Sequence, residues 1–338
     1  MDYIYNTYLF YRYEWCSAVM KYSLRQLEVF VAISRLGSVT SAADELCLSQ
    51  SATSSALAEF ERQFDLQLFD RLGKSLRINQ LGQQLLPRAI ELVERAHEIE
   101  AFLQGSTNFG CINIGATLTV GNYLATLIAA KFLQEHPESR IQLQMHSSET
   151  VVQRLLNHEL DIGLIEGDIH HPDIEIQPWI ADELVIFSAA NHPLVNKSQV
   201  NMKQLLEQQW ILHEKGSSTR ETFDRAFQHH HAQLNIRLEL EHTDAIKHAV
   251  ASGLGIGCIS RLALRDEFHQ GSLVAIATPY LGLGRFFYFL WHRQKYQTTG
   301  MREFLDLCKR YTADIERNDL ASLSELITRL EDGANEKR

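Results

Sequence analysis

The side chains in this sequence that could do chemistry are mostly short hydroxyls and amides placed where helices begin, joined by a few isolated charges. In the second half, successive strand-like runs are followed by Thr117 and Thr119, by Ser147 and Ser148, and by Glu166 and Gly167. Further on, Gly216-Ser217-Ser218-Thr219-Arg220 and Asp244-Ala245-Ile246-Lys247 each open a helical run. Helix N-termini present free N–H groups and a partial positive charge, so hydroxyls gathered there suit a small anion. Thr117, Thr119, Ser147, Glu166, Ser217, Thr219, Arg220, Asp244 and Lys247 are therefore the candidate contacts to a small molecule. For each of them the plain alternative is a helix cap, and Asp244 reads as an ordinary N-cap. The convergence of Thr117, Ser217 and Thr219 from corresponding loops favours a ligand. Glu166 would repel an anion unless Arg220 or Lys247 offsets its charge.

Catalysis and metal binding have weaker claims. His229, His230 and His231 are consecutive, and successive side chains on a helix point in different directions, so a solvated cluster is a better reading than a metal site. Gly253-x-Gly255-x-Gly257 follows a helix and precedes a strand, the reverse of a dinucleotide-binding loop. No nucleophile, base and orienting group fall into a recognisable array, so neither an enzyme nor a cofactor is expected. Cys16, Cys47, Cys111, Cys258 and Cys308 are odd in number and contain no C-x-x-C pair, which reads as reduced thiols.

The chain has 338 residues, enough for two or three compact units, and its 45% hydrophobic and 22% charged content excludes wholesale disorder. A formal net charge of -10 means that any nucleic-acid contact must come from a local surface. No run approaches the roughly 18 apolar residues of a membrane helix, and no basic segment followed by an apolar one opens the chain, so a cytoplasmic protein without membrane contact is expected. Residues 1–19 crowd Tyr3, Tyr5, Tyr8, Phe10, Tyr11, Tyr13 and Trp15 without a period. They read as an extension upstream of a fold that begins at Met20, with a functional aromatic arm as the alternative.

From Ser23 the spacing of Leu24, Leu27, Phe30 and Val31 predicts a helix that Gly37 ends, followed by a short helix with Ala42, Ala43 and Leu46, capped by Ser38 or Thr40. Ser49 caps a third helix whose core side is expected to hold Ala52, Ala56, Leu57 and Phe60. Two short helices joined by a tight turn make a helix-turn-helix. Gln50, Ser51, Thr53, Ser54 and Ser55 then form the reading face in a major groove, unless that face is merely solvated. Ser38, Thr40 and Ser41 join the candidate DNA contacts. The run from Leu68 to Asn79 reads as two strands around a basic hairpin, a wing in which Arg71, Lys74 and Arg77 would meet phosphates. Seven basic and seven acidic residues between positions 20 and 87 leave this segment formally neutral, so placement must supply the attraction.

The stretch from Leu24 to Leu86 resembles the LysR-type DNA-binding segment, with G-S-x-T-x-A-A-x-x-L, S-Q-x-A-x-S and L-F-x-R in order. Phe60 stands where leucine is usual and Asn79 where threonine is usual. Ser51, Ser55 and Ala56 replace the common proline, arginine and glutamine, which points to a different operator. The phrases ATLTVGNY, LDIGLIEG, EKGSSTRE and DAIKHAVASGLGIGCIS resemble the YeiE- and CysB-like, sulfur-linked branches of that family.

Asn79 can cap a helix running to about Leu103, in which Leu85, Ala89, Leu92, Ala96, Ile99 and Leu103 recur as coiled-coil positions do and predict a dimer seam. Pro87 is expected to kink it. Residues 104–110 read as a hinge. From Cys111 strands alternate with helices, which predicts α/β architecture with a largely parallel sheet. The expected organisation is thus a winged helix-turn-helix over 20–79, a linker helix over 80–103 and a two-lobed, periplasmic-binding-protein-like domain over 111–310. Lobe I would take 111–180 and 280–310, lobe II 181–279, and 311–338 would extend past the family's usual end. The resemblance implies a ligand-controlled transcription regulator whose partners are double-stranded DNA with an inverted-repeat operator, a small effector such as sulfite, sulfate or a small carboxylate, its own copies as dimer and tetramer, and RNA polymerase if it activates. A solute-binding protein or transferase with an appended domain is the competing reading.

Overall fold

The computed structural model describes residues 20–72, 75–104, 109–167 and 169–313. They divide into two compact units on either side of Leu103 and Gln104.

The first unit begins with helix α1 (Leu24–Leu36), started by a capping box in which Ser23 and Gln26 satisfy one another's backbone N–H. Gly37 ends it with φ of 63°, a left-handed conformation that a side chain disfavours. Helix α2 (Val39–Glu45) starts at Ser38, whose hydroxyl accepts from Ser41 N at 3.3 Å. Helix α3 (Gln50–Gln63) starts at Ser49 in the same way. Strands β1 (Phe69–Leu72) and β2 (Ser75–Ile78) pair antiparallel, with Asp70 opposite Arg77. The core joins Leu27, Phe30 and Ile33 to Ala42, Leu57, Phe60 and Phe69.

Helix α4 (Gln80–Leu103) runs through Pro87, and Asn79 caps it with its side-chain oxygen 2.9 Å from Gly82 N. Ala89 is buried against α1 rather than available to a second chain, which corrects its place in the expected seam; Leu85 packs on the same core. The apolar stripe is wide enough to serve both faces. Its first turns close the helix-turn-helix, while Leu92, Ile99, Phe102 and Leu103 remain exposed.

The second unit holds one nine-stranded sheet shared by two lobes. Lobe I contains β3 (Cys111–Ala116), β4 (Arg140–Met145) and β5 (Ile162–Glu166), all mutually parallel. Lobe II contains β7 (Gln209–His213), β8 (Asn235–Leu240) and β9 (Ile256–Ser260), parallel likewise, with β10 (Leu273–Ala275) at the far side. Two strands join the lobes. The 16-residue β6 (Ile174–Ala189) leaves lobe I and enters lobe II, and β11 (Gly284–His292) returns beside it. The order across the sheet is β4-β3-β5-β11-β6-β9-β7-β8, with β10 also paired to β6. Both crossing strands run antiparallel to their neighbours, so the sheet is mixed rather than largely parallel; a chain that must cross and come back cannot keep one direction.

Helix α5 (Leu118–Val120), a π turn (Gly121–Ala125) and α6 (Thr126–Glu135) follow β3 as one run. Helix α7 (Ser148–Leu156) follows β4, α8 (Met202–Leu206) precedes β7, and α9 (Ser218–Ala226) follows it. Helix α10 (Thr243–Ala251) follows β8, α11 (Arg265–Gln270) precedes β10, and α12 (Thr299–Thr312) closes lobe I. Phe109 N donates to Ser139 Oγ at 3.0 Å, and the Phe109 ring packs on the lobe I core, so the expected hinge already belongs to lobe I by its last two residues. Trp179 Nε1 donates to Thr312 at 2.9 Å, which carries the domain two residues past position 310. Residues 1–19, 105–108 and 314–338, parts of the expected extensions and hinge, lie outside the described residues.

Gly253-x-Gly255-x-Gly257 has a packing role: a methyl group on Gly255 would lie 2.2 Å from Gln209 O, and one on Gly257 2.6 Å from the Phe187 ring.

Candidate functional site

The exposed side of α3 offers Gln50, Ser51, Ser54 and Ser55. Thr53 is not among them. Its side chain is fully buried and its hydroxyl donates to Ser49 O at 3.1 Å, because Thr53, Leu57 and Phe60 share the inward face. Ala52, expected inside, is exposed instead. Thr40 and Ser41 are exposed, whereas the Ser38 hydroxyl is occupied as a cap. Of the cations in this unit, Arg25, Arg35 and Arg62 are paired with Glu28, Glu45 and Glu59. Arg77 is exposed on the wing. Lys74 and the Arg71 side chain lie outside the described residues.

In the second unit the ends of β3, β5, β7 and β11 and the middle of β6 bring one charged cluster together inside the protein. Arg285 of β11 is its centre, and its side chain is only 4% exposed. Its Nε donates to Asp182 Oδ2 at 2.7 Å, and Nη1 donates to Thr219 Oγ1 at 3.1 Å and lies 3.9 Å from Glu166 Oε1. Its Nη2 is buried without a hydrogen-bond partner among the described residues. Ser260 holds the other oxygen of Asp182 at 2.7 Å, and the Thr117 hydroxyl donates to Glu166 Oε2. His213 borders the cluster. Its pKa is lowered chiefly by burial, with Arg285 adding to the effect, so the ring is neutral near neutral pH.

Of the expected ligand residues, this cluster includes Thr117, Glu166 and Thr219. Thr119 is buried as well. Ser147 is an exposed cap on Thr150 N at 3.3 Å, and its neighbour Ser148 points inward instead, to Glu166 O at 3.2 Å and to Ser218 Oγ of the other lobe at 3.0 Å. Ser217 caps α9 through Arg220 N at 3.2 Å.

Two expected cations are engaged elsewhere. Arg220 donates to Asp224, to His213 O and to Glu239 at 2.8, 2.9 and 2.6 Å, so it braces α9 against β8. Burial opposes its charge, but the hydrogen bonds to Glu239 and Asp224 prevail and raise its pKa. Lys247 pairs with Asp244 at 2.9 Å and Glu267 at 2.8 Å. Asp244 is not the N-cap, which is His242. It accepts instead from Tyr123 Oη at 3.3 Å, and burial pushes the Tyr123 phenol up to about 12. These contacts engage Arg220, Asp244 and Lys247 within the protein, although Arg220 Nη2, like Arg285 Nη2, is buried without a hydrogen-bond partner among the described residues; Arg285 is the cation that faces Glu166.

Sequence reasoning missed Arg285 because Gly284-Arg285-Phe286 carries no cap or turn signal. The hint was a charge inside an otherwise apolar strand, GRFFYFLWH. Such a charge is rarely buried without a partner or a purpose.

A small helix-turn-helix unit followed by a two-lobed domain with a polar cluster between its lobes defines a ligand-controlled DNA-binding regulator. The bacterial regulatory helix-turn-helix of the lysR family matches residues 24–83, and the LysR substrate binding domain matches residues 106–313. The chain is 42% identical over 289 residues to the HTH-type transcriptional regulator YeiE of Escherichia coli, covering 86% of this chain and 98% of that one. Full-length OxyR of Pseudomonas aeruginosa superposes with a TM-score of 0.64 at 19% identity, covering 87% and 94% of the two chains, a likeness of fold. The CcmR regulatory domain of Synechocystis, solved in complex with 2-PG, superposes with a TM-score of 0.56 at 27% identity over 61% of this chain and 99% of that one. The chain belongs to the LysR family of DNA-binding transcription regulators; it is a regulator rather than an enzyme, and its second unit is an effector-binding domain. No helix among the described residues is long and apolar enough to cross a membrane.

Proposed function

We propose that this regulator recognises an inverted-repeat operator as a dimer and responds to a small anion bound between the two lobes of its second unit. Gln50, Ser51, Ser54 and Ser55 choose the bases, Arg71, Lys74 and Arg77 hold phosphates, and the exposed stripe of Leu92, Ile99 and Leu103 carries the dimer. Thr117, Thr219 and Arg285 hold the anion. The observation that carries this reading is the buried Nη2 of Arg285, a charged donor without a partner among the described residues at the meeting point of both lobes. A buried charged donor left unmatched is costly, and a ligand oxygen would relieve that cost. Similarity to the sulfur-linked branches favours sulfite or sulfate, with a small carboxylate as the second choice.

Footprinting of the protein on its own upstream region and on neighbouring promoters, with and without these anions, tests the reading. A protected inverted repeat whose boundaries shift with one of the anions is expected. Absence of any protected repeat would sink the operator reading, and an anion-independent footprint with no anion binding would sink the effector reading.

A further inference from the structure

The charge around the Arg285 cluster limits what the cleft can accept. Arg285 faces two carboxylates, Glu166 and Asp182, so the site holds one cation against two anions before any ligand arrives. Among the described residues, nothing else facing it adds positive charge. Helix α7 contributes Ser148, the end of β3 contributes Thr117, and α9 contributes Thr219. From β7 comes His213, kept neutral chiefly by burial, and from β9 the Cys258 thiol, which burial also keeps protonated. Arg220 and Lys247 are each engaged by two carboxylates elsewhere in the domain. In so dry a site a bare dianion would meet two carboxylates at short range with a single guanidinium to offset them.

The two carboxylates are not equally satisfied. Asp182 uses one oxygen for Arg285 and the other for Ser260. Glu166 has one oxygen on Thr117, while Oε1 stands 3.9 Å from Arg285 Nη1, beyond hydrogen-bond reach. An unmatched donor at Arg285 Nη2 and an acceptor at Glu166 Oε1 thus lie around one guanidinium. A ligand that answers both must offer an anionic oxygen to the first and an O–H to the second.

We propose that the effector enters as a monoanion carrying its own O–H, so that the cleft binds an anion and a proton together and rejects dianions that cannot be protonated. The anionic oxygen is held by Arg285 Nη2 and the ligand O–H is donated to Glu166. This rests on the proposed anion site and deepens it: the chemical class is a hydrogen oxyanion or a 2-hydroxycarboxylate, in preference to sulfate or a simple carboxylate such as acetate.

Calorimetric titration of the full chain with sulfite, sulfate, glycolate and acetate, between about pH 6 and about pH 8 in two buffers of unlike ionisation enthalpy, tests it. Sulfite takes up a proton near neutrality and sulfate does not. The expected result is that affinity for total sulfite falls toward about tenfold per pH unit once the free ligand has lost its proton, with a buffer-dependent heat equivalent to about one proton taken up. Glycolate should bind more tightly than acetate, and sulfate weakly throughout. In Glu166→Gln, which can still accept from Thr117, proton uptake should disappear and sulfate should gain relative to sulfite. Glu166→Asp, which retains the charge, should keep the uptake, and thermal melts of both variants check that they fold.

Sulfate bound as tightly as sulfite by the unaltered protein, without buffer dependence, would overturn the proposal while leaving the anion site standing. Binding of none of the four would overturn the anion site itself, and the proposal with it.

Discussion

At the scale of single residues, neighbours that look alike in sequence divide by the direction they face. Thr53 and Ser54 are both short hydroxyls on α3, but Thr53 lies in the core and Ser54 on the surface. Thr53→Val keeps the shape and removes the bond to Ser49 O, so it should lower stability by about 0.5–1.5 kcal/mol and leave base preference unchanged, as unfolding curves and operator footprints would register. A second residue effect concerns acid. His158, with φ of 56° and its ring centroid 4.4 Å from that of His292, has its pKa lowered to about 4, first by burial and then by His292 and Lys295. An unfolded histidine titrates near 6.5, so between these values the unfolded chain holds more protons than the folded one. Stability is therefore greatest above about pH 6.5 and falls as pH drops toward 4, by at most about 3 kcal/mol from this residue. His158→Asn, which tolerates the left-handed backbone, should flatten that part of a urea-unfolding profile against pH.

At the scale of elements, α4 and the wing divide structural and binding duties along their lengths. The early turns of α4 are committed to the first unit through Ala89 and Val93, and its later turns present Leu92, Ile99, Phe102 and Leu103 to the surface. Ile99→Glu should convert dimers to monomers in sedimentation and abolish tight operator binding, because one unit reads one half-site. The fold of that unit should survive, as Ile99 is 60% exposed. On the wing, the register that places Asp70 opposite Arg77 already offsets part of the positive charge, as opposite charges on facing strands do. Replacing Arg71, Lys74 and Arg77 together with glutamine should reduce the slope of log affinity against log salt by about 0.9 for each phosphate that the wing no longer neutralises, measured by binding titrations over a salt series.

At the scale of the whole molecule, the effector domain is two lobes tied by β6 and β11 and latched where Ser148 meets Ser218. Gly167 stands at that latch with φ of +99°, and a methyl group there would lie 3.1 Å from Ser218 Cβ. Gly167→Ala should strain the turn and hold the lobes apart, costing about 1–3 kcal/mol and weakening anion binding while DNA binding without anion persists, which calorimetry and footprinting would separate.

Much of this molecule follows from local rules read along the chain. The caps at Ser23, Ser49 and Asn79, the left-handed Gly37, the helix-turn-helix and the alternation of strands and helices depend on a few adjacent residues, and each stands where its residue types require. Thr117 and Thr219 were legible for the same reason, as hydroxyls beyond strand ends. The place of Arg285 at the centre of the cluster was not. Its partners Asp182, Thr219 and Glu166 are 103, 66 and 119 positions away, and only the crossing of β6 and β11 brings them to one guanidinium. The ion pairs of Arg220 and Lys247 were hidden on the same ground, since the carboxylates that engage them include Glu239 and Glu267, about twenty residues distant. A charge far apart in sequence from its partners has no local signature, so its role was decided by tertiary structure alone, whereas a helix start, made by neighbours, was decided by the sequence.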